Sequence, residues 1–303
     1  MIINLKIQKP EPKKLQHRNR RNLDRLTTYI FGLIVIILFI LEGKAHDHVM
    51  ILTGLGLAIP AAYLAFIAGW ITLDATKSAI MLGTIALGFG GWWLALTLIF
   101  FFVTSSYLST SKKRNITNSG EGEEAWYKSS DERRDSFQVW SNGFWLAVFT
   151  ILWFMSGLPA LLVAAFAVVA VATSDTWATE LGSLKPGKTR RITNFKRVEP
   201  GTDGGVSLKG TMAAIAGSFM IALFLLPVDL YSPELLILVF AAGFIGSLAD
   251  SYAGAYLQSS NVAAVRPYGF TKTSQAFKNN FVNWLSTGIG GLLAFMIANF
   301  FIL

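Results

Sequence analysis

The sequence predicts an all-α protein that threads a membrane about nine times, and three observations carry that prediction. Hydrophobic residues make up 53% of the 303 and charged residues only 15%, with a mean hydropathy of +0.49, which is too apolar for an ordinary soluble domain. The apolar residues gather into runs near 28–41, 49–67, 78–103, 141–155, 158–173, 211–228, 235–257 and 281–303. Several of these approach the ~20 residues that a spanning helix needs. The cations fall in alternate segments between the runs: eight Lys and Arg precede the first run, six lie between Lys112 and Arg134, seven between Lys185 and Lys209, and three between Arg266 and Lys278. A nine-span path puts all four segments, with Lys77, on one side and only Lys44 on the other, so the positive-inside rule makes that side, and the N-terminus, cytoplasmic. The location expected is a bacterial plasma membrane or its equivalent. The net charge of +8 then reads as topology and attraction to anionic lipid headgroups, and no aromatic-interleaved basic patch points to nucleic acid. With no cysteine, disulfides, thiolate nucleophiles and cysteine metal sites are excluded.

In chain order, residues 1–24 form a basic cytoplasmic arm, expected to be disordered or to rest on the membrane surface, and residues 25–303 a single transmembrane domain. The run at 28–41 follows a basic leader as a secretory signal would, but Glu42-Gly43-Lys44-Ala45-His46 is a poor cleavage site, so it reads as a retained anchor. His46-Asp47-His48 offers too few ligands for a closed metal site and reads as a solvated turn. The long run at 78–103 holds two helices, divided by a turn among Gly83, Gly88, Gly90 and Gly91. Cytoplasmic loops are expected at 104–137, 174–210 and 258–280.

Polar residues inside the apolar segments mark the candidate site. Arg134, Gln138 and Asn142 recur every fourth residue and share one helix face, as do Asn279, Asn283 and Thr287 later, with Asn280 beside them. In the run 235–257, Ala242, Gly246, Asp250, Gly254 and Gln258 fall at four-residue steps, a stripe of small residues with one carboxylate in it. Gly246 and Gly254 suit helix packing, whereas a carboxylate is a costly packing residue in lipid and marks function. Asn142, Asp175, Asp250 and Asn283 all fall within about 10 Å of the same membrane face at ~1.5 Å per residue, which implies one shallow site. Ser174-Asp175-Thr176-Trp177-Ala178 is echoed by Ala249-Asp250-Ser251-Tyr252-Ala253, so two similar helix ends could present the two aspartates to one Mg²⁺–nucleotide. Glu180 is a further candidate Mg²⁺ ligand, because hard oxygens hold that ion between protein and phosphate.

The polar stretch Ala172–Thr211 also carries Arg191, Lys196 and Arg197 and ends on Gly201-Thr202-Asp203-Gly204-Gly205-Val206-Ser207. One reading of that glycine segment is a phosphate cradle, in which backbone amides and the start of the next helix converge on an anion. The other is a glycine turn followed by a helix cap.

Five blocks together resemble the integral membrane proteins long carried as a domain of unknown function, whose characterised plant and cyanobacterial members include phytyl-phosphate kinase of tocopherol synthesis. They are RRDSFQVWSNG (Arg133–Gly143), SDTWATELG (Ser174–Gly182), RRITNFKRVEPGTDGGVSLKGT (Arg190–Thr211), GSLADSYAGAYLQ (Gly246–Gln258) and NNFVN (Asn279–Asn283). The basic arm before Tyr29 is a departure from that pattern. The resemblance implies transfer of a nucleotide γ-phosphate, from CTP, to a membrane-held prenyl monophosphate, and it alone supplies CTP and phytyl. On that reading Asp175 and Asp250, with Glu180, hold Mg²⁺. Gly201, Thr202, Gly204, Gly205 and Ser207 cradle the nucleotide phosphates. Arg134, Arg191, Lys196 or Arg197 neutralise the acceptor or the transferred group, and Gln138, Asn142, Asn279 and Asn283 hydrogen-bond base, ribose or phosphate. Two rivals are a CTP-dependent lipid nucleotidyltransferase, which shares metal and lipid, and a transporter of a phosphorylated or lipidic substrate, which would place its site near the midplane.

Overall fold

A computed structural model describes residues 12–118, 133–183, 188–257 and 275–303. Among these described residues nine α-helices follow in order, α1 (Pro12–Leu41), α2 (Ala45–Ile67), α3 (Leu73–Gly88), α4 (Gly91–Asn118), α5 (Ser136–Ser156), α6 (Pro159–Ser183), α7 (Leu208–Ala222), α8 (Pro233–Leu257) and α9 (Gln275–Ile297). All but α3 are long and apolar enough to cross a membrane by length and composition. The division of the long third run falls at Phe89-Gly90, and Gly91 takes the left-handed φ of +82° that opens α4. A lone hairpin of two-residue strands, β1 (Arg190–Arg191) and β2 (Gly205–Val206), pairs antiparallel with Arg190 opposite Val206 and Arg191 opposite Gly205.

Helix ends are set by local chemistry. Asp135 and Gln138 form a reciprocal capping box that starts α5, Gly157 ends it at φ +67°, and Pro159 opens α6 where its missing N–H costs nothing. Asp47 closes a capping box onto the Lys44 amide, and His48 Nε2 lies 2.7 Å from the Phe39 carbonyl, so the acidic group of the His-Asp-His turn serves the start of α2.

Helix α6 is the axis of the bundle. Its run PALLVAAFAVVAVAT is rich in Ala and Val, and every residue from Ala160 to Ser174 is buried. Small side chains let neighbours approach the backbone closely, which matters because lipid gives helices no hydrophobic reason to associate. A methyl added at Gly243 would meet Ser218 and Ala170, at Gly246 or Gly290 Val171, and at Gly217 the backbone of Thr173 and Ser174. Thus α7, α8 and α9 all bear on α6 through glycine. A second cluster joins α1, α2, α3 and α5 around Phe31, Ile51, Leu82 and Trp140, with Phe31 stacked on Trp140 at 4.9 Å.

The loop bounds read from the sequence change. Helices α4 and α6 run on to Asn118 and Ser183, α5 begins at Ser136 and α9 at Gln275, so the polar ends of the apolar runs are helical. The arm changes too: α1 begins at Pro12, so residues 12–24 belong to a continuous helix and not to a disordered segment. A helix already nucleated in the apolar run extends by one hydrogen bond per added residue, which favours continuation into the polar flank. Residues 1–11 and Gln258 lie outside the described residues.

Candidate active site

Because α6 and α8 have the same position in the up–down succession, their polar C-terminal ends lie at the same end of the bundle. The two echoed segments therefore meet. The carboxyl groups of Asp175 and Asp250 are hydrogen-bond partners of one another, Asp250 being 9% exposed and Asp175 half-buried. Two carboxyl oxygens at that separation need a proton or a cation between them. Helix α9 holds Asp250 from the other side. Ser286 Oγ donates to Asp250 Oδ2 at 2.8 Å, and Asn283, with its amide nitrogen turned toward acceptors, donates to the same oxygen at 3.2 Å and to the Asn279 carbonyl at 3.1 Å. One turn away on α9, Asn280 is 1% exposed and its Nδ2 has no partner among the described residues.

Glu180, taken from the sequence as a third metal ligand, stands apart. Ser109 Oγ of α4 donates to Glu180 Oε1 at 2.6 Å, and the Glu180 charge acts on both Asp175 and Arg134. No three His, Asp or Glu side chains among the described residues are grouped so as to hold a metal by themselves. Five residues after Asp175, Glu180 is turned toward α4 by helical geometry, so any cation at the aspartates must complete its shell with other oxygens.

Arg134 is placed by the chain on both sides of it. Its amide donates to the Trp70 carbonyl at 3.1 Å and its carbonyl accepts from Thr72 at 3.0 Å, tying the α2–α3 turn to the start of α5. The guanidinium lies over the rings of Phe101 and Phe102, 5.7 and 5.9 Å from their centroids. Burial pushes its pKa down to about 10 against the opposing charge of Glu180, which leaves it a cation at neutral pH. Arg134, Gln138 and Asn142 share a face as their spacing predicts, and that face lines one end of a groove between α2, α3 and α4. Within it the Gln138 side chain caps Asp135 and Asn142 Nδ2 donates to the Gln138 carbonyl at 3.1 Å.

The glycine segment departs from an open cradle. Thr202 N–H donates to the Glu199 carbonyl, Gly205 N–H to the Thr202 carbonyl and Ile192 N–H to the Gly204 carbonyl, so the amides of Thr202 and Gly205 are engaged in the turn. Gly204 is glycine for another reason: at φ +73° a methyl would also strike Ala255 of α8, 2.7 Å from its Cα. Gly201, at φ +84°, has open space around it, and Ser207 Oγ accepts from Gly210 N–H as the N-cap of α7. The turn thus folds onto α8 five residues, about 7.5 Å along the axis, beyond Asp250. The hairpin brings Arg191 inward, its Nε buried and without a partner among the described residues, while Lys196 and Arg197 are exposed.

Sequence reasoning missed Ser286 and Ser109. Ser109 lies four residues after Ser105, a helical step that was there to be read in the run Thr104-Ser105-Ser106-Tyr107-Leu108-Ser109. Ser286 follows Asn283 by three residues and was passed over in favour of the four-residue step to Thr287.

Residues 56–291 match the family model described as integral membrane protein DUF92. An uncharacterized membrane protein of Methanocaldococcus jannaschii is 33% identical over 73% of this chain and 82% of its own length. Protein PGR of Arabidopsis thaliana is 35% identical over 39% of this chain and 48% of its own length. Protein VTE6, chloroplastic, of the same plant is 32% identical over 42% and 35%. The chain therefore spans about half or less of these two plant relatives. No solved structure matches.

Proposed function

The chain belongs to the DUF92 family of integral membrane proteins, and from that premise we propose that it is a Mg²⁺-dependent phosphotransferase that passes the γ-phosphate of a nucleotide, CTP, to a prenyl monophosphate. The observation that carries this reading is the contact between Asp175 and Asp250, two carboxyl groups brought together within apolar helices and braced by Ser286 and Asn283. A charged group in a spanning helix is costly unless it has work to do. Support also comes from the resemblance of the site blocks to a family with a prenyl-phosphate kinase in it, and from the match to VTE6.

An oxygen of the acceptor monophosphate attacks the γ-phosphorus, a new P–O–P bond forms, the γ-phosphorus to bridging-oxygen bond breaks, and the nucleoside diphosphate leaves. The acceptor is already an anion, so no general base is needed. Asp175 and Asp250 are hard-oxygen donors of the kind Mg²⁺ takes when phosphate and water complete its shell. Bound there, Mg²⁺ would supply charge neutralisation at the transferring group. Arg134 neutralises the acceptor phosphate, with its backbone held by Trp70 and Thr72. Arg191 Nε and Asn280 Nδ2, buried without partners among the described residues, are donors for nucleotide oxygens, since such atoms cost about 1–3 kcal/mol when left unpaired. Placing the basic end in the cytoplasm, N-terminus included, gives the site access to nucleotide, and the excess of Lys and Arg at that end supports it.

The test is product analysis with purified protein, γ-labelled CTP and a panel of prenyl monophosphates. The expected result is labelled prenyl diphosphate and release of CDP. Release of pyrophosphate with the nucleotide joined to lipid would replace this reading with nucleotidyl transfer, and transport of the prenyl phosphate without a new product would replace it with a carrier.

A further inference from the structure

Between α2, α3 and α4, floored by α5 and α6, lies a groove of about 650 Å³. Its polar groups are gathered at one end. There the groove is lined by Trp70, Arg134, Gln138 and Asn142, and from that end outward its walls are Ala, Leu, Gly and other apolar side chains as far as Trp92. Along α2 the lining runs from Ile67 back to Gly54, about 20 Å at the helical rise. One wall is made of small residues, Ala58, Ala61, Ala62, Ala65, Ala79 and Gly83.

From this geometry, and resting on the phosphotransferase reading above, we propose that the groove holds the hydrocarbon chain of the acceptor, a single-chain isoprenyl monophosphate, with its phosphate at Arg134 and its tail toward Trp92. Charge decides the occupant's head: a guanidinium at the polar end of a groove whose remaining length is apolar attracts a dianionic phosphate more strongly than a neutral hydroxyl or carbonyl. Arg134 lies just before α5 and Asp175 near the end of the antiparallel α6, so the headgroup end of the groove and the carboxyl pair are at the same end of the bundle. Shape decides the tail. The alanines along α2 intrude less on the groove than longer side chains would, which suits a methyl-branched chain better than a straight one, and Trp92, half exposed, lines the far end. Chain-length selection then resides in the groove and phosphoryl transfer at the aspartates, two separable parts.

The experiment uses farnesyl phosphate carrying a terminal diazirine, irradiated with the full-length protein in detergent and mapped by mass spectrometry. Adducts are expected on the α2 and α4 segments between Leu57 and Ala65 and between Trp92 and Ile99, competed at least tenfold better by farnesyl phosphate than by farnesol or phosphatidylglycerol. Labelling needs no turnover, so it survives even if the transfer reading fails. Adducts confined to the lipid-facing exterior, or equal competition by farnesol, would overturn the proposal and leave an ordinary lipid cleft. In the activity arm Ala61→Trp, at an exposed position, should lower the ratio of kcat/KM for phytyl phosphate over geranyl phosphate at least tenfold. Leu96→Trp on the facing helix should do the same, and Ile245→Trp on α8 outside the groove should leave the ratio alone. An unchanged ratio in both groove variants would overturn the chain placement while leaving phosphoryl transfer intact.

Discussion

Asp250 receives hydrogen bonds from Ser286 and Asn283 and touches Asp175, and each of these contacts has a separate consequence. Asp175→Asn or Asp250→Asn removes a carboxylate from the place where charge is neutralised, and turnover should fall by about 10²–10³ or more, the range for losing one preorganised electrostatic contact. Both variants should still insert and purify, because an amide keeps the shape; near-normal rates in both would remove the pair from the mechanism. Ser286→Ala leaves the carboxylate and its Asn283 donor but removes the Ser286 donor to Oδ2, which should cost about 1.5–3 kcal/mol of orientation and show as a raised Mg²⁺ requirement. Both aspartates were legible in the sequence because a carboxylate in an apolar run stands out. Ser286 was not, since a serine in such a run more often bonds its own helix, as Ser286 also does to the Asn283 carbonyl at 3.1 Å. For Arg134 the sign of the pH effect follows from a folded pKa of about 10, lowered from the ordinary guanidinium value. The buried cation costs stability in full below about 10, and the cost is relieved as pH rises from there toward the unfolded value. Acceptor KM, insofar as it depends on Arg134, should stay flat from pH 7 to about 9. Glu180→Gln removes the charge that holds the value up, so the alkaline rise in KM should begin at lower pH, and an unchanged onset would mean that Glu180 does not govern Arg134.

At the scale of elements, the aspartates meet because α8 can lie against α6 without side chains between them. Gly246→Ala would drive a methyl into Val171, with no flexible end to yield, and overpacking of this kind costs about 1–3 kcal/mol. The predicted result is a lower melting temperature together with lost turnover, since pushing α8 away separates Asp250 from Asp175. A variant that melts lower yet turns over normally would uncouple the crossing from the site. The stripe Ala242, Gly246, Asp250 was legible as a packing face because four-residue steps are helical, and burial at 0% for Ala242 agrees. The glycine turn was harder to read. Its sequence fits a phosphate cradle and a tight turn equally, and only the approach of Ala255 to Gly204 shows what the missing side chain is for. Hence Gly204→Ala should destabilise through strain at positive φ and the clash, while Gly201→Ala, strained but in open space, should do less harm.

At the scale of the molecule, the up–down order of the helices was readable from hydropathy alone, and so was the gathering of cations at one end, because lipid forces every spanning backbone into a helix with satisfied hydrogen bonds. The groove was not readable, since the small residues along its walls look like any packing face until α2, α3 and α4 are assembled. Which way round the molecule sits can be decided by one labelling experiment, for which the natural absence of cysteine removes all background. Phe195 is 66% exposed at the tip of the hairpin beside Arg191, and His46 is exposed at the opposite end of the bundle, in the first turn of α2. If the cation-rich end faces the cytoplasm, as a nucleotide-using site requires, Phe195→Cys should resist a membrane-impermeant maleimide in intact cells and react in inverted vesicles. His46→Cys should show the reverse. Labelling of the Phe195 position from outside would put the aspartate pair and Arg134 beyond the reach of cytoplasmic nucleotide, and the kinase reading would fall on topology before any assay of activity.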